Sequence, residues 1–147
     1  MTKKEAPTIV VRAAKAEDTS NIYRLMKAEA DVLKRDLNPS SAIYFIAQVL
    51  EHGYIAVADL SGRVVAAAIC PSDEVALEMR GLFTLKGFEE SGADVALFAH
   101  CIKKARDAGK QLMMIAPVSK ETVRMVDVGQ ELGMVVTSQT FMTKANG

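Results

Sequence analysis

Soft metal ligands are scarce in this chain, which has two cysteines and two histidines in 147 residues. Cys70 and Cys101 stand in apolar surroundings and form no Cys-x-x-Cys pair, so both are expected as reduced thiols of the core. His52 and His100 have no partner at ligand spacing, and no structural metal site is expected. An excess of one charge is also lacking. Lys plus Arg number 18, as do Asp plus Glu, for a formal net charge of zero. General nucleic-acid binders carry a basic excess, so that class is disfavoured. The same balance leaves little colloidal repulsion and suits a homo-oligomer or an assembly partner. No apolar run approaches the roughly 18 residues that span a bilayer, and no membrane partner is expected. Met1-Thr2-Lys3-Lys4 leads into no apolar signal core, so a cytoplasmic location is expected. There is no internal repeat and no low-complexity segment.

What is present is a large apolar fraction, half of all residues. That suffices for the core of one domain of ordinary size. A single domain is expected over 9–142, between a flexible tail at 1–8 and a second at 143–147. Ile9-Val10-Val11-Arg12 reads as a short strand. Asp18 is placed to cap a helix over about 19–35, whose inner face is Ile22, Leu25, Met26, Glu29, Val32 and Leu33. Asn38-Pro39 starts a second helix, with Ile43, Ile46, Ala47 and Leu50 inward. The period then changes from helix to strand. Tyr54–Ala58 and Val64–Ile69 flank Asp59-Leu60-Ser61-Gly62 as a hairpin. One strand is expected over Val75–Leu85, with Gly81 marking a bulge or close backbone approach.

Glu89-Glu90-Ser91-Gly92-Ala93-Asp94 opens the clearest amphipathic helix, about 95–108. Leu97, Phe98, Cys101, Ile102 and Ala105 form one face and Lys103, Lys104, Arg106 and Asp107 the other, with Gly109 as C-cap. His100 is expected at the surface beside Lys103 and Lys104. Gln111–Ala116 reads as a buried central strand ended by Pro117. Ser119 caps a helix over about 120–131, stopped by Gly133, and strands over 134–137 and 139–142 finish the domain. The order gives one mixed α/β sheet with helices on its faces.

That order and several local patterns resemble the GCN5-related N-acetyltransferase superfamily over roughly residues 9–142. Arg12-Ala13-Ala14 with Asp18 is similar to its opening Arg-x-Ala-x-x-x-Asp stretch. Gly53–Ala58 and Gly62–Ala67 resemble its central hairpin. Leu97, Ala105 and Gly109 fall at the spacing of its third helix, and Leu132-Gly133-Met134 sits where it has Leu-Gly-Phe. The resemblance implies a mostly antiparallel sheet with a parallel splayed pair and about four flanking helices. It also implies acetyl-CoA as cofactor and a small-molecule or protein amine as acceptor.

The family holds the pyrophosphate on backbone N–H groups of an Arg/Gln-x-x-Gly-x-Gly/Ala loop at a helix N-terminus. The implied cofactor residues here are Thr84, Leu85, Lys86, Glu89, Ser91, Gly92, Ala93 and Asp94. Gly92 keeps the first glycine, while Glu89 replaces the basic or amide position and Asp94 the second small one. Asp94 is expected to cap the helix by accepting an N–H two or three residues on, which removes a donor from the pyrophosphate. Its charge, with those of Glu89 and Glu90, opposes a phosphate at about 1 kcal/mol or more each. The helix terminus attracts it by about 0.3–1 kcal/mol. Lys86 and Lys110 could offset part of the repulsion.

On the catalytic side Gly129 stands where many members have a tyrosine that protonates the leaving thiolate. Glu78 is the first choice for the base and Glu74 the second, although Glu78 alternates onto one face with Arg80, which equally suits an ion pair. Tyr23 and Tyr44 fall on the helices that line the acceptor site in the family, or else on the core rim. Two functions stay open, an acetyl-CoA-dependent N-acyltransferase and a non-catalytic structural or interaction protein of the same fold that has lost its cofactor.

Overall fold

The computed structural model describes residues 8–114 and 123–135. Strand β1 (Ile9–Ala13) leads through a 3-10 turn (Ala16–Asp18) into helices α1 (Thr19–Val32) and α2 (Pro39–His52). Then come β2 (Tyr54–Leu60), β3 (Arg63–Cys70), β4 (Leu77–Met79), β5 (Gly81–Thr84), α3 (Ala93–Asp107), β6 (Leu112–Met114) and α4 (Val123–Glu131). One sheet has the order β1-β2-β3-β5, all antiparallel, and β4 pairs in parallel with β6. This is the mixed α/β architecture expected of the resemblance. The polar tails, residues 115–116 of the expected central strand, Pro117, the Ser119 cap and the strands from 136 on lie outside the described residues.

The hairpin organises the core. Its two-residue turn has positive φ at both Ser61 (54°) and Gly62 (88°), the twist-matched hairpin form. The Gly62 N–H donates to Asp59 Oδ1 at 2.7 Å. Side chains alternate between two packed layers. Tyr54, Ala56, Ala58, Ala66, Ala68 and Cys70 face α3, while Ile55, Val57, Val64, Ala67 and Ile69 face α1 and α2. Alanines at so many buried positions let helices approach the sheet closely from both sides.

Four sequence expectations are corrected. Asp18 stands at the α1 N-cap but makes no side-chain cap bond. Its carboxylate instead takes a fork from Arg12, Nη1 at 2.7 Å and Nη2 at 3.0 Å, plus the Lys15 N–H at 2.8 Å. A bidentate bond between two charged groups outcompetes the single bond that a backbone N–H offers at a cap. Secondly, α1 ends at Val32, which is exposed rather than buried. Thirdly, the buried stripe of α2 is Ala42, Ile46 and Val49, and Ile43 is 46% exposed. Finally, the single strand expected over 75–85 is two, divided at Arg80, whose N–H donates to Ile69 O at 2.9 Å. One continuous stretch of chain thus serves β6 with its first half and β3 with its second. Gly81, at the division, lies against the Phe83 ring, which a Cβ there would meet at 2.5 Å.

Other local signals hold. Asn38 caps α2 by accepting the Ser41 N–H at 3.0 Å, with Pro39 in the first turn. Gly109 and Gly133 stop α3 and α4, and the N–H of the following residue reaches back to Ala105 O and Gly129 O respectively.

Candidate functional site

The chain leaves β5 at Thr84, and the Leu85 N–H still reaches Val65 O at 2.7 Å. A tight loop then carries exposed Lys86 to the start of α3. Most of its polar groups close on one another. The Phe88 N–H donates to Leu85 O and the Ser91 N–H to Phe88 O. Glu89 turns back and accepts the Gly87 N–H on Oε2 at 2.8 Å. Ser91 Oγ donates to Phe88 O at 2.6 Å and accepts the Ala93 N–H at 3.3 Å.

The helix begins two residues earlier than its apolar pattern indicates. Its N-cap is Gly92, at φ 84°, and Ala93 is its first residue. Asp94 is therefore inside the first turn, 3% exposed, and is not the cap. Its Oδ1 accepts the Val95 N–H, one residue on, at 2.8 Å. A terminal donor is consumed as expected, by a different geometry, and the carboxylate sits where the helix dipole favours negative charge. The N–H groups of Glu90 and Gly92 have no acceptor among the described residues.

Glu78 lies on β4 and pairs with Arg80, Nη2 to Oε2 at 3.5 Å. Glu74 is exposed in the turn before β4. Both precede the Arg80 division, and the 86–92 loop follows it. Glu78 is six residues from Thr84 at the end of β5, about 20 Å of chain at full strand extension. Lys110 donates to the Asp73 carbonyl beside β4, so it is committed to the Glu74 end rather than the loop. Gly129 is buried, its Cα facing Met134 and Met114, so no titratable group occupies that position.

Tyr23 is half-buried and lines a hollow of about 300 Å³ on α1 and α2 with Thr19, Ser20, Arg24, Lys27 and Ile43. Tyr44 is 67% exposed and is not part of that hollow. Among the described residues no group of three or more His, Cys, Asp or Glu could hold a metal ion, and no helix is long and apolar enough to cross a membrane. Cys70 and Cys101 are both buried and free. A hydrogen bond between the two thiols raises the pKa of Cys70 and lowers that of Cys101, with burial raising both.

One pairing escaped the sequence. His100 is half-buried, with Nε2 2.6 Å from the Tyr54 hydroxyl. The available signal was the alternation of β2, which puts Tyr54 on the α3 side with Ala56 and Ala58.

No protein-family model and no curated protein matches the sequence. Solved structures do match over nearly the whole chain. An aminoglycoside N-acetyltransferase, AAC(6')-Iy in complex with CoA, superposes with a TM-score of 0.78 at 14% identity, covering 100% of both chains. A ribosomal-protein-alanine N-acetyltransferase from Brucella melitensis gives 0.70 at 15% identity, covering 93% of this chain and 99% of the other. A transcriptional regulator from Bacillus halodurans gives 0.73 at 14% identity, with the same coverage. The chain has the GCN5-related N-acetyltransferase fold, in a divergent sequence.

Proposed function

We propose that this chain is an acetyl-CoA-dependent N-acyltransferase. The observation that carries the reading is the start of α3. Gly92 opens the helix in a left-handed conformation, and the N–H groups of Glu90 and Gly92 are uncommitted among the described residues. Such donors at a helix N-terminus suit a pyrophosphate. The CoA complex of AAC(6')-Iy shares this fold, which supports the same cofactor class. When bound, acetyl-CoA would supply the acyl group as a thioester. Thr84, Leu85 and Lys86 would flank it at the end of β5 and just beyond, and Ser91, Gly92 and Ala93 would face its phosphates. Glu78 would take the proton of the acceptor ammonium, with Glu74 as the alternative base, and the Tyr23 hollow would contact the acceptor. The acceptor is a small-molecule or protein amine, and a cytoplasmic homo-oligomer fits the balanced charge.

Calorimetric titration with acetyl-CoA and with CoA tests this directly. Stoichiometric micromolar binding supports it. A folded protein that binds neither at millimolar ligand overturns it in favour of a non-catalytic interaction protein. The observation favouring that second reading is Asp94, whose carboxylate holds the Val95 N–H and places negative charge under the phosphate position.

Two variants sharpen the test. Asp94→Asn keeps the shape and removes the charge, and should tighten acetyl-CoA binding about fivefold, or about 1 kcal/mol. An unchanged titration would mean the carboxylate is screened from the ligand. Glu78→Gln should erase the acidic limb of the pH–rate profile if Glu78 is the base. A profile that keeps this limb transfers the role to Glu74 or to water.

A further inference from the structure

A second hollow, of about 470 Å³, lies beside α3 where the helix meets the start of β2, lined by Tyr54, His100, Lys103, Lys104, Asp107 and Ala108. It is some 18 Å along the helix from Gly92, at the rise of an α-helix over 12 residues. It is therefore separate from the 86–92 loop.

Its charges are uncommitted. Lys103 and Asp107 are four residues apart on the helix, and Lys104 and Asp107 three, spacings at which ion pairs commonly form. Among the described residues none of the three makes an ion pair. Lys104 instead lies over the Tyr54 ring, its Nζ 4.2 Å from the centroid. That stacking fixes the ammonium at the rim of the hollow without neutralising it. Tyr54 is buried and in turn holds His100, ring to hydroxyl, at 2.6 Å. The floor is thus a hydrogen-bonded tyrosine–histidine pair and the rim carries two cations and one acid.

We propose that this hollow binds a small phosphate group, free or as a monoester, between Lys103 and Lys104. Lysine is a point-charge partner for phosphate and needs no fixed fork. Asp107 favours phosphate over other anions. Inorganic phosphate keeps a proton at neutral pH and a monoester keeps one below its second pKa of about 6, and in that form each offers its O–H to the carboxylate and its oxygens to the ammonium groups. Sulfate has no such proton and meets Asp107 as bare repulsion.

His100 reports occupancy. Burial first, then Lys104 and Lys103, lower its pKa. Burial pushes Tyr54 up to about 12, so the hydroxyl keeps its proton and donates to or accepts from Nε2 according to the imidazole tautomer. The groups facing His100 are therefore Tyr54 from β2 and Lys103, Lys104 and Asp107 from its own helix. An anion between the lysines cancels their repulsion and raises the pH at which the imidazole charges.

The experiment is a pH titration of the two histidine ring signals by NMR, at constant ionic strength, with chloride, sulfate, inorganic phosphate or glycerol phosphate. His52, the other histidine, has a side chain 66% exposed and serves as internal control. Millimolar phosphate should raise the His100 midpoint by about half a pH unit and leave His52 in place. The double variant Lys103→Gln, Lys104→Gln should weaken phosphate binding at least tenfold (about 1.4 kcal/mol) and leave the acetyl-CoA titration unchanged. A response to glycerol phosphate stronger than to inorganic phosphate assigns a monoester, and the reverse assigns the free ion. The proposal is overturned if sulfate acts as well as phosphate, if both histidines move together, or if the double variant responds as the parent does.

Discussion

Gly53→Ala is expected to lose about 3 kcal/mol of stability, at the upper end of what overpacking a tight site costs. Gly53 joins α2 to β2, and a Cβ there would lie 2.4 Å from Cys70 O and 2.7 Å from Pro71 O. Both atoms are backbone, so no rotamer change relieves the contact. Tyr54 is paired directly with Cys70, and Cys70 is fully buried, so the end of β3 cannot swing away alone. The φ of Gly53 is negative, −121°, and the penalty is contact rather than torsion. Gly62→Ala supplies the contrast. Nothing lies within 4 Å of its Cβ position, and φ is 88°. That variant should lose about 1 kcal/mol through torsion alone. Urea melts with unchanged m values would measure both. A loss below 1 kcal/mol at Gly53 would mean the junction opens freely.

The contrast between these glycines shows which features a sequence displays. Turn and cap chemistry is local, so Ser61-Gly62, Asn38-Pro39, Gly109 and Gly133 are legible where they stand. Period two is legible too, because the alternation of β2 and β3 reflects two packed layers. The heading of α2 is not. Ala42, Ile46 and Val49 form a helical stripe, and so do Ile43, Ile46, Ala47 and Leu50. Only the packing beneath chooses between them, and it buries Ala42, Ile46 and Val49. The division at Arg80 is hidden for the same reason. It exists because two partners compete for one segment, and neither is adjacent in sequence.

The candidate site divides along the same line. Gly92 and the acidic substitutions around it were visible, since a helix start is a local pattern. The two-residue shift of the N-cap, which moves Asp94 from cap to buried first-turn residue, was not. Helix boundaries depend on which N–H groups find acceptors, and here Ser91 and Asp94 provide them. The Tyr54–His100 bond joins residues 46 apart in the chain and has no local signature.

Arg12→Ala is expected to lose about 3 kcal/mol, and the loss should depend on pH. The variant strands the Asp18 carboxylate, whose side chain is 7% exposed, with the Lys15 N–H as its remaining bond of the three from Arg12 and Lys15. Breaking one side of a buried pair costs about 3–5 kcal/mol. The lower figure applies because Arg12 is itself 32% exposed. Its hydrogen bonds to Asp18 are the main cause that holds the carboxyl below its usual pKa of 3.8, against burial, with the Lys15 N–H adding to them. A depressed folded value means that the pair stabilises the protein fully above pH 3.8 and loses that effect as pH falls through the folded value. The difference between parent and Arg12→Ala should therefore be constant near neutrality and shrink below pH 3.8. Asp18→Asn should be milder, about 2 kcal/mol, since it keeps an acceptor for Lys15 and leaves Arg12 a second carboxylate, Asp59, at 3.8 Å. Stability curves of the three proteins at neutral and acid pH separate the outcomes. A difference that stays constant down to the acid transition would show that Arg12 acts by packing its stem, with the charge irrelevant.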